Sequence, residues 1–294
     1  MKFKIKSVVV LSGLLFTTAA MSQTLQSWMS PEVGDAWKQG YKGRGVRITV
    51  VDDFKSNRGI YGNLGSGTES LRHGQWTLKE ASMIAPSATV RSHDFNSATK
   101  VPLIQELNVL NLSYGMYATA GYTANQIGWS AQEQSIISYA TNGKAVISKA
   151  AGNDSIAVGG TTSRGNVDYL NLALKGAQSS IFVGALNSNG TIAAPAAMAS
   201  YSNTAGDDGA VQKQFLVVGV EGNKTGLYGT SFAAPVISGY AAILGSKFRT
   251  ATPTKITNQL LNTARQDTVA NYNPQTHGRG EASITRALAP RAIQ

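Results

Sequence analysis

The sequence predicts an α/β protein in three layers, a mostly parallel sheet flanked by helices on both faces. Three observations carry this. Short apolar, β-branched runs alternate with helical stretches along the chain, the pattern of strand–helix–strand units. Several of the runs are nearly continuous in apolar character, as strands covered on both faces must be. Hydrophobic residues make up 42% of the 294 and charged residues 14%, enough apolar content for a sizeable core and too much for wholesale disorder.

The elements follow in chain order. Lys2, Lys4 and Lys6 form a basic start, residues 8–20 an apolar stretch too short to span a bilayer comfortably, and Ala20-Met21-Ser22 a small-x-small cleavage site before Gln23. Residues 1–22 therefore read as a secretory signal peptide. Residues 23–294 read as a single catalytic-size domain, secreted into the extracellular space or periplasm, with no membrane anchor once the signal is removed. Strands are expected at 46–51, 89–92, 109–112, 145–148, 181–185 and 215–218, where β-branched and apolar residues run together. Helices are expected at 72–83, 131–142, 230–248 and 252–263; the last opens on Thr252 as cap with Pro253 in the first turn. The Gly/Asn/Ser-rich segments 56–70 and 157–166 read as surface loops.

Composition excludes several functions. There is no cysteine, hence no disulfide, thiolate metal site or cysteine nucleophile. The formal charge is +10, of which the three lysines of the signal account for three, leaving +7. The basic residues are scattered without a dense or aromatic-interleaved patch, so no nucleic-acid partner is expected. Acidic residues number 16 and form no EF-hand-like loop, so no metal ligand is assigned and a structural calcium has no assignable site.

In an open α/β sheet, sites gather beyond the carboxyl ends of the strands. Asp52 follows ITVV there, Ser113-Tyr114-Gly115 follows VLNL, and Asn153 follows AVISKAAG. Of the three histidines, His73 is followed by glycine and opens a helical stretch, whereas His93 and His277 read as packing or surface residues. A buried Asp52 needs a partner, and a histidine acting as base needs its other ring nitrogen held by such an acid. Ser231 sits in GTSFAAP, just where a helix begins; on position alone it is either a helix cap or a nucleophile.

Together these motifs resemble the subtilisin-like serine proteases, the subtilases. ITVVDD resembles the strand and catalytic aspartate, RHG the catalytic-histidine motif, MIAPSA the segment after it, NVLNLSYG a substrate-binding strand, KAAGND the segment with the oxyanion asparagine and GTSFAAP the nucleophile motif. The order Asp, His, Ser is that of subtilisin. The resemblance implies a subtilisin-like fold and a serine endopeptidase of broad specificity acting on proteins or peptides, with Ser231 as nucleophile, His73 as base, Asp52 orienting His73 and Asn153 donating to the oxyanion. It implies that Ser113, Tyr114, Gly115, Ala151 and Gly152 wall the groove, with Tyr114 offering an aromatic surface; Asp154 reads as either a pocket-rim residue or, the favoured reading, a solvated loop acid. No cofactor is required for that chemistry.

The chain departs from the family pattern at three places. Asp53-Phe54 stands where a small hydroxyl residue and glycine are usual, so Asp53 competes with Asp52 for His73. Gln75 replaces a small hydroxyl residue after His73-Gly74. Only residues 23–51 lie between the signal and Asp52, too few for a pro-domain of ordinary size, which leaves unaided folding, a separate inhibitor or chaperone, or weak activity. The alternative function is an inactive pseudoprotease that binds extended peptides in the same groove.

Overall fold

The computed structural model describes residues 24–293; the expected signal peptide lies outside them. The six apolar runs become β1 (Val46–Asp52), β2 (Thr89–Asp94), β3 (Leu107–Leu112), β4 (Val146–Ala150), β5 (Ser180–Leu186) and β6 (Phe215–Gly219). They lie side by side in the order β6-β5-β4-β3-β1-β2, and every neighbouring pair is parallel.

This order has a physical consequence. The chain goes from β1 outward to β2, then crosses to the other side of β1 and proceeds through β3, β4, β5 and β6. Right-handed crossovers travelling in opposite directions put their helices on opposite faces. Helix α2 (His73–Ile84), following α1 (Pro31–Lys38), joins β1 to β2 on one face. On the other, α3 (Ala131–Thr141) joins β3 to β4, α4 (Tyr169–Leu174) joins β4 to β5, and α5 (Gly209–Gln214) joins β5 to β6. The first face is completed by α6 (Ala234–Lys247), α7 (Pro253–Asn262) and α8 (Ile284–Leu288).

Strand side chains alternate between the faces. Ile48, Val50, Val109 and Val146 pack into one core with Ile84, Ile237 and Ile243. Val51, Leu110, Leu112 and Ile147 pack into the other with Ile136, Leu170 and Leu174. Helix α6 is buried from Ala234 through Gly245, as a helix apolar on all sides must be. Its glycines allow it to lie close: a Cβ on Gly239 would stand 2.4 Å from Ile84 Cγ2, and one on Gly245 2.4 Å from Leu107 Cδ2.

Three features differ from the sequence expectation. The helix expected at 230–248 divides into a 3₁₀ turn, Thr230–Phe232, and α6, with Pro235 in the first turn of α6, where its missing N–H and fixed φ cost least. The segment 56–70 carries a two-stranded ribbon, Ile60–Gly62 with Glu69–Leu71, and 157–166 ends in a strand, Asn166–Asp168, antiparallel to Tyr117–Thr119. Helices α4 and α5 have six residues each, too few to display a helical period in sequence.

Candidate active site

β1 leads to β2 on one side and is bordered by β3 on the other, so a crevice opens beyond their carboxyl ends. Asp52 ends β1 with 1% of its surface exposed. Its Oδ1 accepts from His73 Nδ1 at 2.6 Å and from the Asp53 N–H at 2.6 Å, and its Oδ2 accepts from Thr77 Oγ1 at 2.8 Å. A buried carboxylate is thereby met by three donors. Thr77 lies one turn after His73 on the same face of α2; that spacing was visible in the sequence, but its use as a second support for Asp52 was not recognised there.

His73 is the first residue of α2, whose start is fixed by a bond from the Arg72 N–H to Gln75 Oε1, 2.9 Å. Gln75, unusual at its position by family pattern, is thus part of a cap. Gly74 is required by close approach: a Cβ there would stand 2.7 Å from the Asp53 carbonyl and 3.0 Å from the Phe54 ring. Among the described residues Asp53 forms no hydrogen bond or ion pair with His73, which meets Asp52 instead. Its Oδ1 accepts from the N–H groups of Lys55 (3.2 Å) and Ser56 (2.8 Å). Although burial pulls the other way, the bonds from Ser56 and Lys55 hold the Asp53 carboxyl below its ordinary range. His93 lies in β2, and His277 ends a short helix, Pro274–His277, buried and stacked on Tyr272. Among the described residues, His73 alone of the three pairs with a carboxylate.

Ser231 lies in the 3₁₀ turn. The His73 ring stands 5.6 Å, centroid to centroid, from Phe232, the next residue. The Ser231 hydroxyl donates to the Ser113 carbonyl at 3.2 Å, and the Ser113 hydroxyl donates back to the Ser231 carbonyl at 2.8 Å. This reciprocal pair ties the end of β3 to the turn. The four chemical residues, distant in sequence, therefore gather at one edge of the sheet.

The amide of Asn153 has a determined orientation. Its oxygen accepts from the Thr230 N–H at 2.8 Å and from Thr230 Oγ1 at 3.0 Å. A backbone N–H can only donate, so the atom facing it is the oxygen and Nδ2 faces away. Among the described residues neither Asn153 Nδ2 nor the Ser231 N–H has a hydrogen-bond partner. Thr230 Oγ1 also accepts from the Gly152 N–H at 3.1 Å. Asn203 clamps the same loop, its Nδ2 donating to the Ala151 carbonyl (3.0 Å) and its Oδ1 accepting from the Asp154 N–H (2.9 Å). Neither Thr230 nor Asn203 was assigned this tie from sequence, because each acts across a long chain separation.

A pocket of about 600 Å³ opens beside Ser231, walled by Ser113, Gly115 and Gly152. Among the described residues the Gly115 N–H and carbonyl have no partner, so they are open to pairing. Gly152 is not: its N–H goes to Thr230 and its carbonyl accepts from the Asn203 N–H at 2.9 Å. Ala151 is fully buried behind the wall. The Tyr114 ring borders this pocket and is partly buried. It continues the period of Leu110 and Leu112 and packs edge-on against Phe95 at 5.8 Å, with its hydroxyl 3.4 Å from Glu133 Oε1. Burial, reinforced by the Glu133 charge, pushes its phenol well above the ordinary value. Tyr117 adds a second, more exposed ring, its hydroxyl donating to Asp154 Oδ2 at the rim at 3.3 Å.

Among the described residues no three His, Cys, Asp or Glu side chains gather as a metal-binding group. No helix among them is long and apolar enough to cross a membrane.

A sequence model of the subtilase family matches residues 64–281, a segment that begins after Asp52. No curated protein matches the chain by sequence. Among solved structures, the prenylagaramide maturation protease PagA superposes with a TM-score of 0.58 at 20% identity, over 88% of this chain and 98% of that one. MycP1 from the ESX-1 type VII secretion system gives 0.56 at 20% identity, over 88% and 84%. A cold adapted subtilisin-like serine proteinase gives 0.51 at 17% identity, over 83% and 88%. At these identities the likeness establishes a common fold.

Proposed function

Because this chain belongs to the subtilase family of serine-type peptidases, we propose that it is an exported endopeptidase working through an acyl-enzyme on Ser231. The observation that carries the proposal is the 2.6 Å contact of His73 Nδ1 with Asp52 Oδ1, which holds one ring nitrogen and leaves the other for Ser231. The hydroxyl leaves the Ser113 carbonyl and turns to His73; such bonds commonly tighten only when substrate binds. His73 takes the proton as Ser231 Oγ attacks the scissile carbonyl, and Asp52 stabilises the resulting imidazolium. The tetrahedral oxyanion receives two donors that have no partner among the described residues, Asn153 Nδ2 and the Ser231 N–H. His73 returns the proton to the leaving amine, and water repeats the sequence to release the acid. No cofactor takes part in these steps.

Gly115 pairs with the extended substrate backbone like an added strand. This pairing reads main chain, so it confers breadth along the peptide. Export rests on the charge and apolar pattern of residues 1–22. A protein retained in the cytoplasm with residues 1–22 still attached would contradict it.

One observation favours a second reading, a peptide binder without turnover: the Ser231 hydroxyl is bonded to Ser113 rather than to His73. A fluorophosphonate probe separates the two, because it reacts only with an activated serine. The folded protein spanning residues 23–294 should label and cleave casein, and Ser231→Ala should do neither. Folded protein that stays unlabelled would establish the binder.

A further inference from the structure

The pocket beside Ser231 has a floor that the reaction does not use. Lys149 on β4 and Asp168 are 1% and 5% exposed, and both border the pocket. The Lys149 ammonium donates to Asp168 Oδ2 at 2.9 Å and to the Ala150 carbonyl at 2.7 Å. An ammonium has three N–H groups; among the described residues the third has no partner. Asp168 Oδ1 accepts from the N–H groups of Met116 (2.9 Å) and Leu170 (3.1 Å). Among the described residues its Oδ2 accepts only from Lys149 and keeps a lone pair. Oδ2 lies directly under the pocket wall, 2.8 Å from where a Cβ on Gly115 would be.

The floor therefore presents one spare donor next to one spare acceptor, with no net charge. The remaining lining is mixed: Thr162, Ser163 and Asn166 are polar, while Tyr114, Tyr117 and Ala150 add two rings and a methyl group. At the mouth, Asp154 and Arg164 are both exposed and opposite in sign. An aliphatic side chain seated there would leave the third Lys149 N–H and the free Asp168 Oδ2 lone pair without a partner. A substrate ammonium or guanidinium would meet Lys149 as a like charge, and a substrate carboxylate would meet Asp168 as one. A primary carboxamide fits both partners: its oxygen accepts from Lys149 and its N–H donates to Asp168 Oδ2.

Resting on the peptidase reading above, we propose that this pocket selects glutamine or asparagine as the residue whose carbonyl Ser231 attacks, with Lys149 and Asp168 as the specificity-determining pair. A site built to hydrogen-bond a polar group rejects analogues that leave its buried groups unpaired.

The test is a set of peptides identical except at that residue, carrying Gln, Asn, Met, Leu, Phe, Glu or Lys, assayed for kcat/KM with the wild-type protein. Gln or Asn should exceed Met, Leu, Phe, Glu and Lys by at least about 10-fold. Cleavage that favours Leu or Phe, or shows no preference, overturns this inference and leaves the peptidase reading standing. Turnover of none of the peptides overturns both. Lys149→Met supplies the second arm: with the floor anion uncovered, the preference should move from the carboxamides toward Lys. A purely structural ion pair predicts that all substrates fall together with their ratios unmoved, which would also overturn the inference. If that variant does not fold, the wild-type profile decides alone.

Discussion

Thr77→Val removes one donor from the Asp52 carboxylate with little change in volume, which makes it a demanding test of the proposed site. Thr77 is fully buried, and its hydroxyl donates to Asp52 Oδ2 at 2.8 Å. Asp52 itself is 1% exposed, so water does not replace the lost bond. A hydrogen bond to a charged group contributes about 1.5–3 kcal/mol. For a protein of this size, at ~2–4 °C per kcal/mol, the loss lowers Tm by roughly 3–12 °C. Oδ1 keeps its 2.6 Å contact with His73, so the imidazole stays oriented. If about half of the lost energy is felt in the transition state, kcat/KM falls about 3- to 13-fold. That is far less than the ~10⁴-fold expected for Asp52→Asn, which alters the histidine tautomer. Thermal melts and peptide kinetics on Thr77→Val, Thr77→Ser and Asp52→Asn decide the matter, with serine restoring most of both properties. A valine variant with unchanged Tm and unchanged kcat/KM would refute the reasoning. So would one as inactive as Asp52→Asn, since Thr77 would then govern the His73 contact itself.

Two further outcomes follow from the same geometry. Asn153→Asp keeps an oxygen for the Thr230 N–H and hydroxyl but replaces the side-chain N–H donor by an acceptor, and kcat should fall by about 10²–10³ or more with KM little changed; that range comes from subtilisin, a member of the same family, and a loss confined to KM would argue against an oxyanion role. Glu80 on α2 is 5% exposed with Oε2 unpartnered, and burial pushes its carboxyl well above the ordinary 4.5. The folded state therefore holds a proton that the unfolded state releases above about pH 4.5, so stability falls as pH rises through that region. Glu80→Met should raise Tm at pH 7 and lose this advantage as the pH approaches 4; equal Tm gaps at both pH values would show that Glu80 is not the source.

The layer architecture was legible because its signals are local. Six strands read as apolar, β-branched runs, and each lies within two residues of its expected bounds at both ends. The α4 and α5 helices and the ribbons were missed because three to six residues cannot establish a period. Asp52, His73, Ser231 and Asn153 were legible through motifs standing at strand or helix ends. Tyr117 was missed because it lies in a three-residue strand beyond β3, whereas Tyr114 follows the row of Leu110 and Leu112 and is partly buried against their core.

The sequence by itself determined the order of strands and helices, the apolar faces and the types of chemical side chain available. Spacing and pattern encode these along a single stretch of chain. Only the tertiary structure decided which partners meet: Thr77 rather than solvent on Asp52, Thr230 orienting the Asn153 amide, and Lys149 closing on Asp168 beneath the pocket. Each is a contact across loops whose paths no local propensity specifies, and a hydrogen bond depends on ångström-scale placement that emerges only when the sheet and its helices pack.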